Sequence, residues 1–326
     1  MLSLMKTARR ALALGALAAL TVLAPAQAQE KVKLRVSTIP IIDTAPLQAA
    51  IAKGFFAEQG LEVDTTPTAG GAVGLPALAA GQVQITFSNI ISIVLGARQG
   101  LGFEVIAAGS GTGAEAPDLA GMVTRTGSSL RNGKDLQGKR IAVNTRNNII
   151  WLYARAWVQA TGGDPDKVTY LEVPFPQMND ALRGDRVDAA FVVEPFLSAG
   201  LQSKTTQLIG WPYNTVGKRI PVGMYTATSS YIKQHPDVIE RFTRAYNKGA
   251  DWINDNKGSE DWLKIISAYT RMKPEQLKGL NLPLFEKTVD PAGVERVVEL
   301  MRKHKMLEGP FDVKALLYKT AAHPVK

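Results

Sequence analysis

Four short stretches of this chain carry the residue types that grip a small anion. They are Thr38-Ile39-Pro40, Gly70-Gly71, Ser88-Asn89 and Asn144-Thr145-Arg146-Asn147. Each follows a strand-like run, and the last three lead into helix-like ones. A helix start offers unpaired N–H groups and a partial positive charge, which suits a sulfonate, carboxylate or phosphate. Paired glycines let backbone N–H groups come close to a ligand. Any one Ser, Thr or Asn there serves equally well as a helix cap. Four such loops, spread over both halves of the chain, point to a ligand instead. Arg146 adds a planar fork able to hold an oxyanion through two hydrogen bonds. Glu194 stands just before Pro195-Phe196; its carboxylate is placed to accept from a ligand amine or ring N–H, or to lock Arg146. Trp151, Phe196, Trp211 and Tyr213 are candidate aromatic walls.

Catalysis has little to stand on, and no catalytic residue is assigned. The three histidines, His235, His304 and His323, lie in the C-terminal third without metal-ligand spacing, so no metal or other cofactor is expected. There is no Gly-x-Ser-x-Gly elbow and no Gly-x-x-x-x-Gly-Lys-Ser/Thr loop. Gly109 to Gly113 follows a strand, but Glu115-Ala116-Pro117 comes next in place of a helix start, which argues against a dinucleotide loop. The absence of cysteine excludes disulfides and thiol chemistry. Lysines and arginines are scattered, so a nucleic-acid footprint is not expected either.

Residues 1–29 read as a secretory signal peptide. Lys6, Arg9 and Arg10 precede the apolar run Ala11 to Leu20, and Ala26-Gln27-Ala28 makes a small-residue cleavage site. The run is short for crossing a bilayer, which takes about 20 apolar residues. With no cysteine after the cleavage site a lipid anchor is excluded, so the expectation is a cleaved, periplasmic protein. The formal charge of +9 falls to +6 without the leader's three cations.

The remainder alternates strand and helix. Lys33 to Ser37 alternates polar and apolar residues as a strand does, and a turn with Pro40 and Asp43 follows. Pro46 then opens a helix to about Glu58, stopped by Gly60. Strands at 61–64, 83–87 and 103–107 alternate with helices after Gly71 and from Ile91 to Arg98. Gly109 to Gly113 reads as a break. The cycle restarts with strands at 139–143, 168–173 and 187–193 and helices at 149–161 and 177–183. Val222 to Ala227 reads as a returning strand, and the last seventy residues read as amphipathic helices. Such alternation predicts mainly parallel sheets flanked by helices. The expected organisation is a leader at 1–29, a first lobe at 30–117, a second at 118–219, and a return to the first lobe with C-terminal helices at 220–326. In open α/β sheets ligands sit beyond the carboxyl ends of strands, which places the site in a cleft between lobes.

Several segments carry a family resemblance. They are Lys53 to Val63, Gly70-Gly71, Leu78 to Gln84, Asp135 to Val143 and Ala181 to Ala190, followed by Glu194-Pro195. In this order they resemble the periplasmic substrate-binding proteins of the nitrate, sulfonate and taurine ABC transporter group, which includes binders of thiamine pyrimidine precursors. Gln84 departs from the aspartate that the group often has there. The resemblance implies an α/β fold of two lobes, the type II periplasmic-binding-protein fold, closing on a ligand between them. It implies a non-enzymatic monomer that binds a small organic anion and hands it to an ABC permease and its ATPase. The other readings are a periplasmic enzyme of lyase or dehydratase type on the same fold and a sensor that presents ligand to a receptor.

Overall fold

Among the described residues ten strands form two sheets of five, and the two share one plan. The structure, a computed structural model, describes residues 31–323 and residue 325; the leader reading at 1–29 lies outside the described residues. The first sheet holds β1 (Val32–Thr38), β2 (Leu61–Pro67), β3 (Ile85–Asn89), β4 (Phe103–Gly111) and, much later in the chain, β10 (Pro221–Thr228). The second holds β5 (Ala120–Arg125), β6 (Arg140–Val143), β7 (Thr169–Glu172), β8 (Ala189–Val193) and β9 (Thr206–Gly210). The orders are β2-β1-β3-β10-β4 and β7-β6-β8-β5-β9. In each, one strand runs against its neighbours: β10 pairs antiparallel with β3 and β4, and β5 with β8 and β9. The remaining pairings are parallel.

Burial follows position in the sheet. β3 and β8 lie inside and are buried at every residue, as strands covered on both faces must be. The edge strands β2 and β7 leave residues partly open. Asparagine caps set two of the helices that matter for the site. Asn89 accepts from Ser92 N–H at the start of the helix Ile90–Arg98, and Asn148 accepts from Trp151 N–H at the start of Ile149–Ala160. The long helix Pro236–Asp255 buries Val238, Phe242, Ala245 and Tyr246, and the Tyr246 hydroxyl donates to the Gly109 carbonyl of β4.

Four expectations change. The helix expected from Pro46 to Glu58 is two pieces, Ala45–Ala52 and Phe55–Glu58, split at Gly54 with φ 77°. The glycine run read as a break after 107 is the end of β4, which continues to Gly111. β5 and β9 were not foreseen. The C-terminal region is helical at Glu260–Thr270 and Pro291–Lys303, but 278–290 is mostly irregular.

The chain leaves the first sheet after Gly111 and returns at Pro221, and the two passages are stitched side by side. Thr112 N–H donates to Ile220 O at 3.0 Å, Ile220 N–H to Thr112 Oγ1 at 2.9 Å, and Arg219 N–H to Gly113 O at 3.1 Å. Gly111 and Leu284 exchange two further backbone bonds, each 2.9 Å. A short paired crossing of this kind is where two lobes can bend against one another.

Candidate functional site

The loops after β1, β3 and β6 meet between the sheets and line a partly open cavity with about 360 Å³ of empty space, of which only about 30 Å³ admits the centre of a water-sized sphere. The first lobe brings Ile39, Ile41, Asp43, Gly71, Phe87 and Asn89 to it; the second brings Asn144, Asn148, Ile149, Ile150, Phe175, Val193 and Tyr213. Its walls are apolar and aromatic, with a few polar groups set among them, the composition of a small-molecule pocket. Neither lysine nor arginine lines it.

Asn89 joins the two lobes. Its Oδ1 caps its own helix through Ser92 N–H at 3.1 Å and also accepts the N–H of Ile149, the first residue of the helix in the other lobe, at 3.2 Å. Asn148 caps that second helix and donates to Asn144 Oδ1 at 2.8 Å and Thr145 Oγ1 at 2.7 Å. The helices starting at Gly71, Ile90 and Ile149 thus present their N-termini beside one cavity. The paired glycines make this approach possible. A Cβ at Gly71 would lie 2.5 Å from Ser88 Cα, and one at Gly70 would lie 2.9 Å from Asn144 Nδ2 across the lobes.

Four of the residues singled out from the sequence, Ile39, Gly71, Asn89 and Asn144, line this cavity. Thr38, Gly70, Ser88 and Thr145 lie next to them in the same loops, and the buried Thr38 and Ser88 hydroxyls have no hydrogen-bond partner. Pro40 borders a neighbouring opening beside Tyr269 and Arg271. Arg146 and Asn147 line an outer groove between the helices Gly71–Ala79 and Ile90–Arg98. The Arg146 side chain is 63 % exposed; its Nε lies 3.8 Å from Glu172 Oε1, which also accepts the Arg146 N–H at 2.7 Å. Glu172, not Glu194, is therefore the acid beside Arg146.

Glu194 sits behind the cavity wall, 0 % exposed. Its carboxylate accepts from Ser198 N–H (3.0 Å), Ser198 Oγ (2.7 Å), Asn281 N–H (3.1 Å) and Asn281 Nδ2 (3.3 Å). Burial pushes its pKa up against these four donors. Its backbone carbonyl accepts from Ile42 N–H at 3.1 Å, so residue 194 ties the end of β8 to the loop after β1. Of the candidate aromatic walls, Tyr213 faces the cavity, held between Tyr153 and Phe191 at ring separations of 4.9 and 5.1 Å.

The sequence marks Asp43 only as a turn residue beside Pro40. It is 1 % exposed and lines the cavity. Ser110 Oγ donates to its Oδ1 at 2.5 Å, while its Oδ2 has no partner. Desolvation raises its pKa to about 6 in spite of the serine. Asp118 is a second buried acid; Leu119 N–H donates to its Oδ1 at 2.7 Å and its Oδ2 has no partner. Burial, with a smaller contribution from the charge of Asp43, raises its pKa to about 7. The signal available in the sequence was a single acid inside the apolar run Ile39 to Leu47. Among the described residues no cluster of His, Asp or Glu is arranged to hold a metal ion.

The NMT1/THI5-like family model matches residues 41–258, well over half of the chain and across both sheets. The chain belongs to that family. Among its curated relatives, the nitrate/nitrite binding protein NrtA of Nostoc sp. is 24 % identical over 73 % of this chain and 58 % of its own length. A putative aliphatic sulfonates-binding protein of Bacillus subtilis is 23 % identical over 65 % of this chain and 63 % of its own. The chain thus spans under two thirds of the length of either relative. The alkanesulfonate-binding protein SsuA of Xanthomonas axonopodis pv. citri, solved with MOPS bound, superposes with a TM-score of 0.76 at 14 % identity, covering 89 % of this chain and 99 % of that one. That likeness establishes the fold, the two-lobed type II periplasmic-binding-protein fold, with the cavity where the lobes meet. Both of these relatives are named as binding proteins.

Proposed function

We propose that this protein binds a small organic anion in the periplasm, between lobes at about 30–117 with 220–326 and at 118–219, and delivers it to an ABC importer. The observation that carries the reading is the cavity between the sheets. Loops from both lobes line it, and the N-termini of three helices lie beside it. Helix N-termini favour an anionic group without needing a lysine or arginine in the wall. The paired crossing at Thr112–Gly113 and Arg219–Ile220 supplies the hinge for opening and closing. The Asn89–Ile149 bond is made only when the lobes are together. The relatives named for binding nitrate and aliphatic sulfonates support the binding role; the reading adds a permease and its ATPase as partners and a monomer as the working form. Among the described residues no helix is long and apolar enough to cross a membrane.

The test is a thermal-shift screen of sulfonates, nitrate, aromatic carboxylates and pyrimidines. A compound that binds only the folded state stabilises it by RT ln(1 + [L]/Kd), about 2.7 kcal/mol at a hundredfold excess over Kd. We expect at least one class to raise the melting temperature in proportion to the logarithm of its concentration. Release of a chemically altered product from a stabilising compound would replace this reading with an enzymatic one.

A further inference from the structure

The cavity contains an acid that the anion reading does not use. Asp43 lines it with one carboxylate oxygen bonded to Ser110 and the other without a partner. Tyr213, on the opposite lobe, lines it with a buried hydroxyl that also has no partner. No cation of the protein lines the cavity. A buried carboxylate left in this way is costly unless a donor reaches it.

We propose that Asp43 is a specificity residue: its free oxygen accepts a hydrogen bond from a protonated amine or ring N–H of the ligand. This rests on the binding-protein reading and narrows its substrate class. The ligand then carries two unlike ends. An acidic or acceptor-rich end faces the helix starts near Gly71, Asn89 and Asn148, and an N–H-bearing end faces Asp43. Phe87, Phe175 and Tyr213 supply the apolar walls between. Amino sulfonates and aminopyrimidines have this chemistry, whereas nitrate and simple carboxylates lack the donor. Glu194 cannot take the same role, because its carboxylate already accepts four bonds from Ser198 and Asn281. Asp118 adds to the same preference through its charge. It is a second buried acid with an unpaired oxygen, and the charge of Asp43 is felt there. A ligand cation therefore relieves the repulsion that an anion alone would increase.

The experiment compares matched pairs that differ in the donor: taurine with ethanesulfonate, 4-aminobenzoate with benzoate, and 4-aminopyrimidine with pyrimidine. Affinities are measured by calorimetry on the mature protein and on Asp43→Asn. The substitution keeps the acceptor for Ser110 and removes the charge. In at least one pair the wild type should bind the N–H-bearing member ~10-fold or more tighter than its partner, and Asp43→Asn should abolish that preference. The wild-type comparison needs no variant, so it stands even where the variant folds poorly. Equal binding within every pair, or a preference that survives in Asp43→Asn, overturns the proposal. Binding of ethanesulfonate or benzoate with no gain from the amine overturns it while leaving the binding-protein reading intact. Silence from all six compounds at millimolar concentration overturns it as well, and the wider screen above then decides the binding-protein reading.

Discussion

Asp43 and Glu194 are both carboxylates buried where the lobes meet, and their hydrogen bonds give them different roles. Glu194 is fully engaged, so Glu194→Gln has to turn an amide donor towards Ser198 or Asn281, which are themselves donors. We expect a loss of about 1–3 kcal/mol in the denaturation midpoint analysis, the cost of unsatisfied buried donors. An unchanged midpoint would show that these bonds do not hold the junction. Asp43 behaves in the opposite way. Its folded pKa of about 6 lies above the usual 3.8, so the unfolded chain ionises first as pH rises. Its contribution to stability is full below about pH 4, falls through the interval up to about pH 6, and is flat beyond it. Asp43→Asn should therefore stabilise the ligand-free protein on the order of 2 kcal/mol near pH 8 and hardly at all near pH 4. A gain of equal size at both pH values would contradict the ionised carboxylate as its source. Neither role was legible beforehand. Glu194 stood out because it ended a strand before a proline, but its partner Asn281 is distant in sequence and lies in an irregular segment. The sequence places Asp43 in a turn, and nothing local distinguishes an acid facing a cavity from one facing solvent. Arg146 stood out by its chemistry, and its exposure and its contact with Glu172 come from a turn of the chain that spacing does not encode.

At the scale of elements, the alternation of strand and helix is readable where the strands run parallel, because those strands are short runs, apolar or alternating, set off by turn residues. The missed strands, β5 and β9, belong to the mixed part of the second sheet, and β5 reads as Ala-Gly-Met-Val-Thr-Arg, with no alternation to announce it. The candidate loops were legible for a related reason: a residue that caps a helix after a strand is also placed at the mouth of the sheet. Asn89 does both, which makes it the element-level test. Asn89→Ala removes the cap of Ile90–Arg98 and the side-chain oxygen that accepts the Ile149 N–H. We expect about 1 kcal/mol lost from the cap, measured by chemical denaturation, together with weaker ligand binding. Asn89→Ser should restore most of the stability, because serine also caps, but not the affinity, because its shorter side chain does not reach the other lobe. Recovery of both by serine would mean that the cross-lobe bond is incidental.

For the whole molecule, two sheets of the same plan, a stitched crossing and a cavity shared by both lobes make a clamp. In the conformation described here Asn89 reaches Ile149 and Gly70 lies against Asn144, so the lobes are together. Closing costs the free energy of holding two bodies in one arrangement, and a ligand that touches both offsets it. The measurement that tests this most directly is small-angle scattering of the protein with and without a compound found to bind in the thermal screen. The radius of gyration should fall at saturation, and the bound curve should match the one calculated from the closed lobes. Superimposable curves from free and saturated protein would contradict the clamp and leave a rigid pocket in its place.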